Sequence, residues 1–385
     1  MEVAILFAVV VGLMLIGVPI AVSLGMASIL FLLALGDTSL ASIAQTFFQA
    51  MAGHYTLLAI PFFILASSFM STGGVARRII RFSVALVGHV PGGLAIAGVF
   101  ACMMFAALSG SSPATVVAIG SIVIAGMHQV GYTKDFAAGV IANAGTLGIL
   151  IPPSIVMVVY AAAVEVSVGR MFLAGVLPGL LAGCMLMITI YIMARVKNLP
   201  KGDWQGWDEV AAAVLDAAFG LVLIVIILGG IYAGLLTPSE SAAVAGVWAI
   251  VMGFFIYREL TFASLCLALK ETATITAIIF AIIATATFLS VVLTYSQIPQ
   301  QIVSYFTDMG ATFALFWVAL AIICLLLGTF VEIVPVFYLT VPIFAAITLS
   351  FNQSLLHLYV VFVAFAGIGM ITPPVCVGIY TSASV

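Results

Sequence analysis

Four hydroxyl side chains crowd one point of a very apolar chain. In the run 107-ALSGSSPATVVAIG-120, Ser109, Ser111, Ser112 and Thr115 surround Gly110 and Pro113. Glycine and proline both weaken a helix. Inside hydrocarbon, every freed backbone N–H and C=O must find a partner, so irregular backbone persists only where it is buried in protein or lines a polar cavity. Serine and threonine hydroxyls can satisfy the freed groups. With exposed carbonyls they can also ligate a hard cation such as sodium. Helix N-termini aimed at the same point offer N–H donors and positive dipole ends to an anion. One break can therefore serve a cation and a carboxylate together, as discontinuous helices do in coupled transporters.

The pattern recurs. In 143-NAGTLGILIPPS-154, Asn143 and Thr146 supply side-chain oxygens, and Gly145 and Gly148 permit unusual backbone angles. Pro152 and Pro153 remove two donors and free upstream carbonyls. A second set lies in 328-GTFVEIVP-335 and 367-GIGMITPP-374, with Gly328, Thr329, Glu332, Gly367, Gly369 and Thr372. Glu332 is an acid in an apolar run, costly unless paired or functional; a structural hydrogen-bonding role is its other reading. Plainer readings exist for the rest. Small and hydroxyl residues pack membrane helices together, and a double proline is often only a kink. The doubling of the whole pattern argues for a site.

Such breaks need a membrane around them. The chain has 385 residues, 65% hydrophobic and 6% charged, with mean hydropathy +1.39. A soluble domain carries roughly 25% charged residues. Runs such as 221-LVLIVIILGG-230 lack the alternation of a transmembrane β-barrel. The expected class is an all-α, polytopic membrane protein surrounded by membrane lipid, with about 10–12 helical segments, some too short to span. There is no basic tail, so nucleic acid is not an expected partner. The cysteines stand singly (Cys102, Cys184, Cys266, Cys324, Cys376) and read as small core hydrophobes. The histidines (His54, His89, His128, His357) are isolated, and no transition-metal site is expected. HExxH, GxSxG and Walker patterns are missing, so an enzyme is not expected. The N-terminus lacks a basic n-region and reads as a first membrane helix.

The hydrophilic stretch 195-RVKNLPKGDWQGWDEV-210 divides two similar halves. The expected organisation is a first repeat over 1–194, an extramembrane linker over 195–212, and a second repeat over 213–385. Residues 39-SLAS-42 return as 261-TFAS-264, Pro19 as Pro238, Gly110–Ser111 as Gly328–Thr329, and Pro152–Pro153 as Pro373–Pro374. A repeat this long in a membrane chain points to a transporter built from two related halves. Two less apolar stretches, 75–90 with Arg77, Arg78 and Arg81, and 296–310, read as interfacial amphipathic helices; a charged loop is the other reading for the arginines. Glu165 and Glu240 read as interfacial.

The runs 61-PFFILASSFMSTGG-74, 88-GHVPGGLAIAGV-99, 105-FAALSGSSPATVVAIGS-121, 145-GTLGILIPPSIVMVVYA-161, 169-GRMFLAGVLPG-179, 228-LGGIYAGLLTPSESAAVAG-246 and 367-GIGMITPP-374 resemble the large membrane subunit of tripartite ATP-independent periplasmic (TRAP) transporters. They cover nearly the whole chain in family order. The resemblance implies two inverted repeats, each with a re-entrant helical hairpin and a discontinuous helix, moving as an elevator. It implies hairpin tips near 105–121 and 323–335, facing breaks near 143–154 and 367–374. It implies Na+ as the coupling ion. Ser109, Gly110, Ser111, Ser112, Asn143, Thr146 and Gly148 would then shape one sodium site. Gly328, Thr329, Glu332, Gly367, Gly369 and Thr372 would shape the other. Ser111, Ser112, Thr115 and Thr329 would face the substrate. Implied partners are a small TRAP membrane subunit, as a separate polypeptide, and a periplasmic substrate-binding protein. That protein would deliver a carboxylate, of C4-dicarboxylate or sialic acid class, to a bacterial or archaeal inner membrane. Two features depart from the pattern. Glu332 stands where second hairpins often carry aspartate, and the chain ends at Val385 where family members usually continue through another helix, so a truncated C-terminus is expected. The alternatives are a self-sufficient sodium-coupled carboxylate carrier and a channel or membrane scaffold.

Overall fold

A computed structural model describes the chain except for residues 1, 36–39, 54, 73, 311, 374–376 and 385. His54, Pro374 and Cys376 therefore lie outside the described residues.

The first half runs α1 (Glu2–Leu15), α2 (Ile20–Leu35), α3 (Leu40–Ala52), α4 (Ala59–Thr72), α5 (Val75–Val87), α6 (Gly93–Ser109), α7 (Ser112–Gln129), α8 (Lys134–Gly145), α9 (Ile155–Ala163) and α10 (Val168–Lys197). The second runs α11 (Trp207–Ile224), α12 (Gly230–Tyr232), α13 (Pro238–Val251), α14 (Phe262–Tyr295), α15 (Ile298–Asp308), α16 (Phe313–Gly328), α17 (Ile333–Ser350), α18 (Leu355–Gly369) and α19 (Val377–Ser384). Among the described residues, seven helices are long and apolar enough to cross a membrane, and four further apolar helices are shorter. The described elements are all helical, turn or irregular.

The order of the elements repeats. Helix α2 follows Pro19 and α13 begins at Pro238; α3 begins at Leu40 and α14 at Phe262. Helix α4 follows α3 in the first half, where the single α14 runs on to Tyr295 in the second; the short amphipathic helices α5 and α15 come after these, then the pairs α6–α7 and α16–α17, each interrupted where glycine and hydroxyl residues stand. The interrupted pairs α8–α9 and α18–α19 follow. The linker is shorter than expected. Helix α10 continues through Lys197 and α11 starts at Trp207; Arg195 and Lys197 in the last turn of α10, and Asp208 and Glu209 in the first turn of α11, are charges that favour those helix ends.

Peripheral helix starts are capped by their own residues. Thr133 Oγ1 accepts from Phe136 N–H, Ser167 Oγ from Arg170 N–H, and Thr312 Oγ1 from Leu315 N–H. Thr237 and Glu240 close a reciprocal capping box on α13, and Thr261 and Ser264 do so on α14. Helices α7, α9 and α17 have no side-chain cap.

Helix α5 is a helix rather than a charged loop. Its apolar face, with Ile79 and Ile80, packs on α6 and α11. Arg78 is bound by Asp216 at 3.1 Å and Glu259 at 2.8 Å, and its guanidinium lies 3.7 Å over the Tyr257 ring. Arg81 pairs with Glu209 at 2.8 Å and Asp216 at 3.2 Å. The cysteines divide. Cys102 and Cys324 are buried, but Cys184 and Cys266 are exposed on α10 and α14, so these two are not core residues; each falls on a face its helix turns outward. Glu165 is exposed in the α9–α10 turn, and Glu240 sits in the first turn of α13.

The centre of the protein is aromatic. Tyr160, Phe337, Tyr359 and Phe362 are fully buried. Tyr160 and Tyr359 lie 5.0 Å apart, and Phe337 stacks on Phe362 at 4.5 Å. The hydroxyl of Tyr160 donates to Leu355 O at 2.8 Å and that of Tyr359 to Ile149 O at 2.7 Å. These contacts tie α9 to the start of α18, and α18 to the first helix break.

Candidate functional site

The first tip is built around Gly110. It adopts a left-handed conformation with φ 62° and ends α6, its N–H returning to Ala106 O. Only glycine takes this conformation without strain. Its carbonyl accepts from Ile155 N–H at 3.1 Å, at the start of α9. A Cβ there would meet Pro153 O at 2.7 Å and Ile155 N at 3.2 Å. The tip is thus pressed backbone-to-backbone on the double-proline segment, where the Pro152–Pro153 peptide is cis. Gly148 makes the matching approach: a Cβ on it would meet the Ser111 carbonyl carbon at 2.9 Å and Ser112 N at 3.0 Å.

The tip hydroxyls divide between two tasks. Ser109 and Thr115 are buried, and their hydroxyls lie 3.0 Å apart. Thr115 Oγ1 also donates to Ser111 O at 2.8 Å. Both hydroxyls close the turn from inside, and neither residue is among those lining the cavity between the tips. Ser111 and Ser112 do line it. In the facing break, Asn143 is exposed, with Nδ2 donating to Gly139 O, and Thr146 Oγ1 donates to Asn143 O.

The second tip follows the same plan. A Cβ on Gly328 would meet Ala366 O at 2.6 Å, and one on Gly369 would meet Leu325 O at 2.6 Å. Thr329 is 5% exposed and donates to Leu326 O at 2.7 Å, so its hydroxyl is spent on α16 and does not reach the cavity. Thr372 Oγ1 donates to Ile368 O. Gly367 packs on Thr146 and Ile149, the nearest atoms 3.5 Å from a Cβ, so the two breaks touch. Glu332 is the N-cap of α17 and faces the cavity.

That cavity holds about 510 Å³. Both tips reach it, through Gly110–Ser112 and Glu332–Val334, and so do the two breaks, through Ile149, Ile155 and Met370. Its remaining walls come from α4 and α14. Helix α4 presents Ser67, Ser68, Ser71 and Thr72, and α14 presents Glu271 and Thr272 followed by isoleucines at 275, 278, 279 and 282. Three uncapped helix N-termini converge here: α7 from Ser112, α9 from Ile155 and α17 from Ile333. First-turn amides have no intrahelical acceptor; the first amide of α9, Ile155 N–H, is already taken by Gly110 O, so the open amides of α7 and α17, with the positive dipole end of α9 beside them, make an electropositive cradle for an anion. A separate cavity of about 300 Å³ lies between the middle of α14, α17 and the end of α9, away from both tips.

The family model of the DctM component of tripartite ATP-independent periplasmic transporters matches residues 7–385. The chain belongs to that family. A C4-dicarboxylate TRAP transporter large permease protein of Vibrio cholerae is 55% identical over 100% of this chain and 89% of its own length. Its counterpart in Pseudomonas aeruginosa is 50% identical over 94% of this chain and 85% of its own length. A sialic acid TRAP transporter large permease protein of Vibrio cholerae is 32% identical over 96% and 86%. Among solved structures, the Alcanivorax borkumensis YdaH transporter shares the fold, with TM-score 0.55 at 14% identity, covering 90% of this chain and 82% of that one.

For this DctM-family chain, sequence reasoning missed the α4 hydroxyls and Glu271. The α4 signal was present: hydroxyls at 67, 68, 71 and 72 share one helical face. Glu271 is the one acid in the 34 residues of α14, but Lys270 and Thr272 flank it, so it lacks the apolar surroundings that single out Glu332.

Proposed function

We propose that this chain is the large membrane subunit of a sodium-coupled importer of an organic acid, with a C4-dicarboxylate as first candidate. The carrying observation is the convergence of three uncapped helix N-termini on one cavity between two glycine-hydroxyl tips. The substrate carboxylates would take the first-turn amides of α7 and α17 and the hydroxyls of Ser111 and Ser112. Sodium would travel as cargo at each tip–break contact. At the first, Ser111 O, Pro153 O and the hydroxyls of Ser109 and Thr146 are oxygen donors suited to a hard cation. At the second, Ala366 O, Leu325 O and Thr372 supply the donors beside Gly328, Gly367 and Gly369. The 55% and 50% identical relatives carry C4-dicarboxylate in their names, which favours that class over sialic acid.

The two halves are read as inverted repeats. The hairpins and broken helices would move together, elevator-fashion, against α1–α4 and α11–α14. A small TRAP membrane subunit and a periplasmic binding protein would complete the system in a bacterial inner membrane. The binding protein would carry most of the substrate recognition.

The test is uptake into proteoliposomes with the two partner proteins supplied. Thr146→Ala and Thr372→Ala, which remove a side-chain donor named at each tip–break contact, should each raise the sodium concentration needed for half-maximal uptake. Unchanged sodium dependence in both variants sinks the site assignment. Full uptake without either partner would show a self-sufficient carrier instead.

A further inference from the structure

The cavity between the tips carries two carboxylates, Glu332 on the second tip and Glu271 on α14, and no lysine, arginine or histidine lines it. Lys270 precedes Glu271 on α14, but it does not line the cavity and takes part in none of the ion pairs among the described residues. Ser68 Oγ donates to Glu271 Oε2 at 3.5 Å, a long bond. The ion pairs among the described residues lie around α5, not here. Thr272 beside it is 7% exposed and keeps an Oγ1 with no hydrogen-bond partner. This wall therefore places a negative charge and unused polar capacity against a space whose opposite side is lined by helix N-termini.

The size of the cavity fixes the consequence. A sphere of 510 Å³ is about 10 Å across, so an anion inside lies within roughly 10 Å of Glu271. At an effective dielectric of about 20, one pair of like charges at that distance costs on the order of tenfold in affinity. A cation bound alongside the substrate cancels the penalty.

We propose that Glu271 enforces coupling: its carboxylate keeps the substrate anion out of the cavity until a cation has entered with it. The inference rests on the sodium-coupled carboxylate reading above and gives that site a device against uncoupled leak. Glu271 belongs to neither tip and neither break, so the role is separate from the sodium sites at the tip–break contacts.

The experiment measures initial succinate uptake across a sodium series, in proteoliposomes holding this chain with its small subunit and binding protein. Wild type should need sodium. Glu271→Gln should need on the order of tenfold less sodium for half-maximal uptake, and should show uptake without sodium above that of empty liposomes. Glu271→Asp, which keeps the charge, should follow wild type. Ser71→Asp adds a carboxylate to the same cavity at an exposed position of α4 and should raise the sodium requirement on a similar scale. The inference is overturned if wild type is sodium-dependent but Glu271→Gln and Ser71→Asp leave that dependence unshifted. It is equally overturned if Glu271→Gln abolishes uptake at every sodium concentration while unfolding at the wild-type temperature, since Glu271 would then be an attachment point for the cargo. Sodium-independent succinate uptake by wild type would instead remove the functional reading, and this inference with it.

Discussion

Replacing Gly110 by alanine tests the tip–break contact directly. Two costs apply. Residue 110 has φ 62°, and a residue with a Cβ pays about 1–2 kcal/mol to hold the left-handed region. The new methyl would also lie 2.7 Å from Pro153 O and 3.2 Å from Ile155 N and Ser154 Cα. These are backbone atoms of a segment pinned by the bond from Ile155 N–H to Gly110 O, so they yield poorly, and overpacking of this kind costs about 1–3 kcal/mol. Together the docked tip should lose roughly 2–5 kcal/mol relative to a displaced one. At about 1.4 kcal/mol per tenfold, its population falls about 30-fold or more. Uptake in proteoliposomes should drop accordingly, while helix content by circular dichroism stays near wild type. Gly131→Ala separates the two costs. Gly131 has φ 99°, but nothing lies within 4 Å of a Cβ built there, so only the conformational cost applies and uptake should survive. Wild-type uptake by Gly110→Ala would refute the close-approach argument. So would equal damage from Gly131→Ala.

Two further contrasts follow from the same geometry. Gly369→Ala places a Cβ 2.6 Å from Leu325 O and 2.8 Å from Gly328 Cα and should lower stability by about 1–3 kcal/mol in detergent unfolding. Gly367→Ala, with 3.5 Å to its nearest neighbour, should be near neutral. Arg78→Ala strips two carboxylates and the Tyr257 ring from a side chain only 18% exposed and should cost about 2–3 kcal/mol. Arg77→Ala, at a side chain 73% exposed with one pair at 3.7 Å, should cost less than about 0.5 kcal/mol; equal losses in the two arginine variants, read by thermal unfolding, would contradict the burial argument.

The breaks were legible in the sequence because their causes are local. Glycine, proline and hydroxyls interrupt a helix wherever they fall, and the doubling of 110–111 and 145–154 in the second half marked them as elements. What each hydroxyl does was not legible. Ser109 and Thr115 are separated from Ser111 and Ser112 by the direction in which Gly110 turns the chain, and the former pair closes the tip while the latter lines the cavity. Thr329 was expected to face substrate, yet back-bonding to Leu326 O absorbs its hydroxyl. Glu271 and the α4 hydroxyls meet across 203 positions of sequence, a pairing that no local pattern carries.

The N-terminal prolines carry an argument of their own. In α7, Pro113 occupies the second helical position, and in α17, Pro335 occupies the third. Proline is tolerated there because first-turn amides lack intrahelical partners anyway. It also removes one donor from each cradle, leaving the amides of Ser112 and Ala114 on one side and of Ile333 and Val334 on the other. Glu332 is the group most able to take the second pair, since it stands at the N-cap of α17. It makes no capping bond, and its side chain turns to the cavity instead. The carboxylate that could have satisfied α17 from within leaves those amides open to an acceptor from outside the chain. On the function proposed above, a substrate carboxylate would supply one, and a cation beside Glu332 would allow both carboxylates to occupy the same space.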